Sequence, residues 1–299
     1  MAKVTCMKNH PTNLPARRPW AGLLLAAFVV LAPLAATAQQ PDGGAALRAK
    51  VDALKPQLAR NVFKRPLTIE SNETPDRLSG DVYALVDHPF GQVSGALREP
   101  AAWCQVLMLH LNTKHCAVKN GGAALAVAVG RKFDQPLSDA QKIDFVYSVA
   151  KADANYLNVR LSAATGPLST RDYSIVLEAT PADDGKTAMH MSYAYAYGTA
   201  ARLAMKGYLA TLGSDKVGFT KKDGDYIGGV RGVVERNTMR YYLAIDSYLN
   251  APAASQLEQR LGTWFDATEQ YAQQLHEVDR NDYMEMKRHE FQRLQQPGS

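Results

Sequence analysis

The sequence predicts an α+β fold in which a curved antiparallel sheet carries helices on one face. Three observations predict it. Two strand-like segments and a helical one come first, five strand-like segments separated by turn sequences follow, and the last third of the chain has helical periodicity. Short strands at near-regular spacing are typical of an antiparallel meander. The order of the segments therefore indicates one sheet followed by its helices.

The N-terminus has the features of a secretory signal peptide. Arg17 and Arg18 precede a run of about 15 apolar residues, and a small-x-small site ends at Ala38, before Gln39. The run is shorter than the roughly 20 residues that a transmembrane helix needs, so an uncleaved anchor is the weaker alternative. We expect cleavage between Ala38 and Gln39 and an exported, most naturally periplasmic, protein.

The net charge argues against nucleic-acid binding once this segment is set aside. Residues 1–38 contain four of the 34 basic residues and none of the 29 acidic ones, so the rest of the chain has 30 basic against 29 acidic residues. The formal charge of +5 therefore comes mostly from the signal peptide. A hydrophobic fraction of 46% is ordinary for a globular protein with a sizeable core.

Two cysteines remain after residue 38, and an exported protein is expected to pair them. Cys104 and Cys116 are 12 residues apart, which predicts one disulfide. His110 and His115 lie between them, so a metal site is the alternative. Their spacing matches no common zinc pattern, and we expect neither a metal nor a cofactor.

The first elements after residue 38 are a helical lead-in and two strands. Apolar residues recur at helical spacing over residues 45–60, where Pro56 predicts a bend or an end. Two strands are predicted in RPLTIES and RLSGDVYALVD. A helical stretch follows, which Pro89 begins and Pro100 interrupts.

Five further strands are predicted in AALAVAVGRKF, KIDFVYSVAKA, NYLNVRLSAA, RDYSIVLEATP and TAMHMSYAYAYG. The last strand is unusual, because its two faces differ so strongly. One face carries Met189, Met191, Tyr193, Tyr195 and Tyr197, and the other carries small or polar residues. Sealed cores are usually aliphatic, since a buried tyrosine hydroxyl needs a hydrogen-bond partner. This face therefore either fills a core or lines a cavity.

The C-terminal third is predicted to be helical. The first two helices lie in TAARLAMKGYLATLG and VRGVVERNTMRYYLAIDSYLN, with a Gly-rich loop between them. A third helical pattern spaces its larger residues about 3.5 apart, and a charged helix closes the chain. The third pattern consists of Leu257, Leu261, Trp264, Thr268, Tyr271, Leu275 and Val278, and the closing helix contains Tyr283, Met286 and Phe291.

Two segments resemble the START and Bet v 1-like (SRPBCC) superfamily. GDVYALVDHPFGQVSGALREPAAWC is similar to the opening strand and helix of that superfamily, and GPLSTRDYSIVLEA to the START strand with its Arg-Asp-aromatic motif. The resemblance covers about residues 66–250 and implies a helix-grip fold, a curved antiparallel sheet wrapped around a long C-terminal helix. Residues 39–65 would then be a helical lead-in and residues 251–299 a helical extension.

The resemblance also implies an apolar tunnel between the sheet and the long helix, where such domains bind lipids, sterols and other hydrophobic molecules. The tyrosine and methionine face of the last strand would form one wall of that tunnel. Tyr241 and Ile245, on the long helix, would face it, and Arg231 is the candidate for holding a charged head group. Arg171 and Asp172 are expected to form a structural ion pair.

No common catalytic motif is present in the sequence. The patterns G-x-S-x-G, H-E-x-x-H and the P-loop are absent, and His88, beside Asp87, is the best isolated acid–base candidate. The leading hypothesis is an exported carrier of a hydrophobic small molecule or lipid, which would make transient contact with membranes. The alternatives are an enzyme that uses the same cavity and a protein-interaction module built on the C-terminal helices, whose partner the sequence leaves open.

Overall fold

The structure is a computed structural model and describes residues 43–211 and 215–294. The described residues belong to one compact unit. The predicted signal peptide, with its cleavage site at Ala38 and Gln39, lies outside the described residues. No helix in the described ranges is both long enough and apolar enough to cross a membrane.

Eight antiparallel strands of the described chain form one sheet. They are β1 (Leu67–Glu73), β2 (Arg77–Val86), β3 (Thr113–Lys119), β4 (Ala124–Val129), β5 (Gln141–Ala152), β6 (Leu157–Thr165), β7 (Thr170–Pro181) and β8 (Thr187–Tyr197). Their order across the sheet is β1-β2-β8-β7-β6-β5-β4-β3. Strands β3 to β8 thus form a meander. The β2 strand pairs with β8, and β1 forms the edge of the sheet beside β2.

The helices are α1 (Gly43–Ala59), α2 (Phe90–Leu97), α3 (Pro100–Leu107), α4 (Thr199–Ala210), α5 (Gly229–Asn250), α6 (Leu257–Glu269), α7 (Ala272–Leu275) and α8 (Arg280–Leu294). The α5 helix has 22 residues and packs on β1, β2 and β8. The predicted fold class is confirmed: the chain is α+β, with a curved antiparallel sheet around a long helix and further helices after it.

A glycine lets α5 approach the sheet closely. Gly80 lies on the inner face of β2, where a Cβ atom would overlap the Oγ1 atom of Thr238 on α5. The residues around Gly80 alternate between buried and partly exposed along β2, as a strand with one core-facing side requires. Leu78 and Val82, the neighbours of Gly80 on the inner face, are each 1% exposed. Gly80 therefore sets the separation between sheet and helix.

The α1 helix lies on the opposite face of the sheet. Leu47, Val51, Leu54 and Leu58 form a small separate core with Ala188 of β8. Pro56 lies inside α1, and the helix continues to Ala59. Leu58, in the last turn after the proline, is buried in this outer core.

The structure differs from the sequence predictions at one strand and at the end of one helix. The β3 strand was not predicted, and it forms the sheet edge beside β4. The helical pattern from Leu257 was predicted to continue to Val278, but α6 ends at Glu269. Tyr271 leaves the helical conformation there, and its buried hydroxyl donates to the Phe63 carbonyl oxygen at 2.7 Å.

The C-terminal helices share the main core with the sheet. Leu261, Trp264 and Tyr283 are each at most 1% exposed and belong to the same apolar cluster as β2, β8 and α5. The stripe that could have docked a protein partner is thus largely covered by the chain's own domain. This burial is a correction to the hypothesis of an interaction module built on these helices.

Candidate ligand-binding cavity

A cavity of about 710 Å³ lies between the sheet and α5. Its walls come from the middle and far strands of the sheet and from the N-terminal half of α5. The apolar and aromatic part of the lining includes Val127 and Val129 of β4, Ile143 and Phe145 of β5, Tyr173 of β7, Tyr193 and Tyr195 of β8, and Val233 and Tyr241 of α5. Exposed Leu168 and Arg131 are also part of the lining, so the cavity reaches the surface beside them.

Four tyrosines form one wall, which we call the tyrosine cluster: Tyr173, Tyr193, Tyr195 and Tyr241. The rings of Tyr173 and Tyr195 stack with centroids 5.4 Å apart and planes 16° apart. The rings of Tyr193 and Tyr241 lie 5.3 Å apart, which joins the sheet to α5. Offset contacts of this kind stabilise aromatic pairs. The cluster therefore forms a continuous aromatic surface.

Strand geometry explains how these rings come together. Tyr193 and Tyr195 are two residues apart on β8 and so point to the same face. Tyr173 joins them through a register shift between Arg171 and Ser174 in the β7–β8 pair, where Asp172 has a positive φ of 53°. Such a bulge redirects the side chains beside it, and here it brings Tyr173 next to Tyr195.

The hydroxyl groups of the tyrosine cluster stay protonated. Burial raises the pKa of Tyr193, of Tyr195 and of Tyr241, because a phenolate would lose its hydration. The Tyr173 hydroxyl forms a hydrogen bond with the Thr170 hydroxyl at 2.8 Å. The wall therefore offers apolar area and neutral hydroxyls to a ligand.

Another part of the lining is polar, and Arg131, Asp139, Gln141 and Thr170 belong to the lining as well. Five more polar residues of the lining are His110, Asn112, Thr113, Gln135 and Asn237. The His110 ring stacks on Tyr241 with centroids 5.1 Å apart, so the polar end adjoins the tyrosine cluster. We call these five residues the polar end.

His110 is a neutral imidazole with a defined tautomer. Burial lowers the pKa of His110 well below its usual value, and the cations Arg240, Lys287 and Lys132 lower it further. The His110 Nδ1 atom accepts the backbone N–H of Asn112 at 3.2 Å, so the ring proton is on Nε2. The Asn237 side chain acts in the opposite direction, because as a hydrogen-bonding partner of His110 it raises the pKa of the ring.

The predicted site residues separate into two groups. Tyr193, Tyr195 and Tyr241 line the cavity. Met189, Met191 and Ile245, at most 1% exposed, lie in the closed core instead. The cavity extends along only part of β8, because Met191 and Met189 pack beside Val82 and Ala84 of β2.

Tyr197 and Arg231 lie away from the main cavity. The Tyr197 hydroxyl donates to the Thr74 carbonyl oxygen at 3.1 Å, and Tyr197 lines a second, small pocket of about 30 Å³ that shares Tyr195 with the main cavity. Arg231 donates from Nη2 to the Ser71 hydroxyl at 2.9 Å. In this structure Arg231 thus ties α5 to β1, and its guanidinium is not part of the cavity lining.

His88, Arg171 and Asp172 are the three other candidate residues from the sequence. The His88 carbonyl oxygen accepts from Thr187 Oγ1 at 2.7 Å, and His88 is not among the cavity residues. Arg171 and Asp172 form an exposed ion pair at 2.7 Å. Within the described ranges no group of three or more His, Cys, Asp or Glu side chains is placed to hold a metal ion.

Cys104 and Cys116 form a disulfide with Cα atoms 5.2 Å apart. It joins α3 to β3, and the segment that it encloses carries His110, Asn112 and Thr113. The disulfide therefore fixes the chain that supplies most of the polar end.

Sequence reasoning missed the polar end. His110 was considered only as a metal ligand, and Gln135 lies in the turn sequence DQPLSD, which was interpreted as a connector. The Gln135 side chain reaches the cavity beside Gly130, where a Cβ atom would collide with its amide. The one signal for this site in the sequence was a glutamine in a predicted turn that follows a glycine at the end of a strand.

The comparisons with known proteins give matches to solved structures only. No protein-family model matches the sequence, and no curated protein matches it. The solved structure of Ara h 8.0201 aligns over 62% of this chain and 98% of that chain, with 11% identity and a TM-score of 0.35. A START superfamily protein from Mycobacterium smegmatis aligns over 46% of this chain and 92% of that chain, with 11% identity and a TM-score of 0.30.

A truncated norcoclaurine synthase from Thalictrum flavum aligns over 48% of this chain and 91% of that chain, with 10% identity and a TM-score of 0.33. The order of the eight strands and the position of α5 are seen directly in the structure. By that architecture the chain has a helix-grip fold, in which a curved antiparallel sheet packs around a long helix.

Proposed function

We propose that this protein is exported and that it binds or carries a hydrophobic small molecule or lipid in the cavity between the sheet and α5. The observation that carries the proposal is the cavity itself. Its volume of about 710 Å³ falls in the range of about 300–1,000 Å³ typical of small-molecule sites. A wall of four tyrosines and several aliphatic side chains favours an apolar or aromatic ligand.

Export is supported by two independent features. The N-terminal sequence has the organisation of a signal peptide, and the pairing of Cys104 with Cys116 suits an oxidising compartment. N-terminal sequencing of the protein from a periplasmic fraction should begin at Gln39. Recovery of the uncleaved chain with the membranes would contradict this part of the proposal.

Binding is favoured over catalysis by the state of His110. This side chain is the histidine that lines the cavity, and its Nδ1 is already occupied by the Asn112 N–H. A ring held with its proton on Nε2 is a hydrogen-bond donor and a poor general base. Prolonged incubation of the purified protein with its extracted ligand should therefore leave the mass of that ligand unchanged.

The test is mass spectrometry of organic extracts from gently purified protein. We expect an apolar compound in extracts of the wild type, and its loss from the Val127→Phe variant, because the added ring occupies the cavity. Val146→Phe is the matched control, since Val146 is 60% exposed on the neighbouring strand. Extracts that contain only buffer components in repeated wild-type preparations, together with no uptake of added apolar dyes, would refute the proposal.

A further inference from the structure

Three hydroxyl groups of the tyrosine cluster have no hydrogen-bond partner among the described residues. They belong to Tyr193, Tyr195 and Tyr241, which all line the cavity. The pKa of each is raised by burial and by neighbouring phenols, and no hydrogen bond acts on any of the three. The fourth hydroxyl of the cluster differs, because that of Tyr173 is paired with Thr170 at 2.8 Å.

Tyrosines of the closed core are paired within the chain. The Tyr147 hydroxyl donates to the Arg98 carbonyl oxygen at 2.7 Å, and the Tyr283 hydroxyl donates to the Leu109 carbonyl oxygen at 3.0 Å. Buried polar groups are nearly always paired in this way. Three unpaired hydroxyls on one cavity wall therefore point to a partner that is not part of the chain.

The three hydroxyl oxygens are open to the cavity. The side-chain atoms of the described residues that combine practically no accessible surface with the lack of a partner are all nitrogens, as at His110 and Gln135. An unpaired tyrosine oxygen is therefore not sealed in. Because Tyr193 is 7% exposed and Tyr195 is 6% exposed, the surface that remains to them is that of the cavity wall.

A ligand in contact with this wall must pair with the hydroxyls or strand them. Water can hydrogen-bond to them in the absence of a ligand. A purely apolar ligand that displaced this water would leave the hydroxyls unpaired, which lowers affinity. A tyrosine hydroxyl is both a donor and an acceptor, so the hydroxyl and carbonyl oxygens of a ligand can replace the displaced water.

The wall favours neutral groups on the ligand. Arg131 and Asp139 are the charged side chains of the lining in the described chain, and they have opposite signs and are both exposed. The buried tyrosine cluster has protonated hydroxyls and no charge of its own. A carboxylate or an ammonium group against it would lose hydration without an opposite charge in the cluster, which is costly.

We propose that the hydroxyls of Tyr193, Tyr195 and Tyr241 form the hydrogen-bonding subsite of the cavity, and that the ligand is a neutral ring compound that carries hydroxyl or carbonyl groups. A ring suits the wall because its face can stack on the phenol rings. This inference rests on the proposed function, since it names the class of ligand that the cavity binds. It distinguishes oxygenated ring compounds from acyl chains and unsubstituted hydrocarbons.

The experiment compares two ligands that differ only in hydroxyl and methyl groups. Nile red, a neutral apolar dye, reports occupancy of the cavity, and naphthalene-2,6-diol and 2,6-dimethylnaphthalene compete with it at pH 7.5. We expect the diol to displace the dye from the wild type at a concentration no higher than that of the dimethyl compound. Without partners in the cavity, the lost hydration of its two hydroxyls would place the diol more than about tenfold behind.

A triple variant removes the three hydroxyls and keeps the rings. In Tyr193→Phe, Tyr195→Phe, Tyr241→Phe the diol should require about tenfold more for displacement, as the loss of one or two hydrogen bonds predicts. The dimethyl compound should stay within about twofold of its wild-type value. The ratio of the two ligands cancels any change in the affinity for the dye. Tyr147→Phe is the matched control, because Tyr147 is buried but is not a lining residue, and it should keep the wild-type ratio.

Thermal unfolding without ligand gives a second readout. The triple variant should unfold at the wild-type midpoint or above it, because its lost hydroxyls have no partner among the described residues. Tyr147→Phe should unfold at a lower midpoint, because it strands the Arg98 carbonyl oxygen. A triple variant with a midpoint below that of Tyr147→Phe would show that the three hydroxyls are bonded within the protein, and would overturn the subsite.

The outcomes separate this inference from the proposed function. A wild type that requires about tenfold more diol than dimethyl compound, or a ratio that the triple variant leaves unchanged, would overturn the subsite while leaving the binding of apolar molecules intact. Failure of Nile red and of both competitors to bind would overturn both. The wild-type comparison decides the question even if the triple variant folds poorly.

Discussion

Glu290 on α8 accepts a hydrogen bond from Lys114 on β3 across 2.8 Å, and neither side chain is exposed to solvent. Lys287 donates to the second Glu290 oxygen at 2.7 Å. The same ammonium group donates to the carbonyl oxygens of His110 and Thr113. One carboxylate and two ammonium groups thus attach the last helix to the segment that supplies the polar end of the cavity.

Glu290→Gln should destabilise the protein strongly. The variant leaves two fully buried ammonium groups without their carboxylate, and removal of one partner from a buried ionic group costs about 3–5 kcal/mol. Burial lowers the pKa of Lys287 to about 8 despite the opposing effect of Glu290, so proton loss from Lys287 should reduce the deficit at pH 9 relative to pH 7. Urea denaturation measures both values.

Glu285→Gln is the control for this prediction, because Glu285 is an exposed position of the same helix. The control should unfold within about 0.5 kcal/mol of the wild type. A Glu290→Gln variant as stable as the control would show that the two lysines do not depend on this carboxylate.

The buried lysines also show where sequence reasoning stops. The β3 sequence, TKHCAVK, contains Lys114, and a lysine at a core position argues against a strand in the absence of its partner. That partner is Glu290, 176 residues later. The five other meander strands were predictable because their alternation is local, whereas the partner of the buried lysine in β3 lies far along the chain, where no local pattern shows it.

The sequence likewise predicted only part of the candidate site. Alternation along β8 placed Tyr193 and Tyr195 on one face, and both line the cavity. The alternation also placed Met189 on that face, yet Met189 is in the closed core, since the extent of the cavity is set by the packing of other elements. Gln135 and His110 reach the cavity from connecting segments, whose side-chain directions no periodic pattern specifies.

Loss of the disulfide should weaken the protein measurably. The bond between Cys104 and Cys116 closes a loop with a separation of 12 residues, which the chain-entropy model values at about 3 kcal/mol. We expect a reductant to lower the thermal midpoint of the wild type. The double variant Cys104→Ala, Cys116→Ala should already have the lower midpoint and should not respond to the reductant. Equal midpoints for all samples would contradict a stabilising role.

A second ionic group lies on the outer face of the sheet, beneath α1. His190 of β8 contacts Glu178 through Nδ1 at 2.8 Å and Asp81 through Nε2 at 2.9 Å, and its ring stacks on Tyr83 with centroids 4.3 Å apart. Burial by itself would lower the pKa of His190, but the hydrogen bonds with Asp81 and Glu178 outweigh it and raise the pKa to about 9. His190 is therefore a cation at neutral pH.

This shift predicts how the contribution of His190 to stability depends on pH. Because the folded-state pKa is above the unfolded value of about 6.5, the stabilisation is fully present below pH 6.5 and is lost as the pH rises towards 9. The difference in unfolding free energy between the wild type and His190→Gln should fall over this interval by up to about 3 kcal/mol. His276→Gln, at an exposed histidine, is the control and should show little change. A wild-type advantage over His190→Gln that stays constant from pH 6 to pH 9 would mean that folding does not raise the pKa of His190, and that the two carboxylates do not hold its proton.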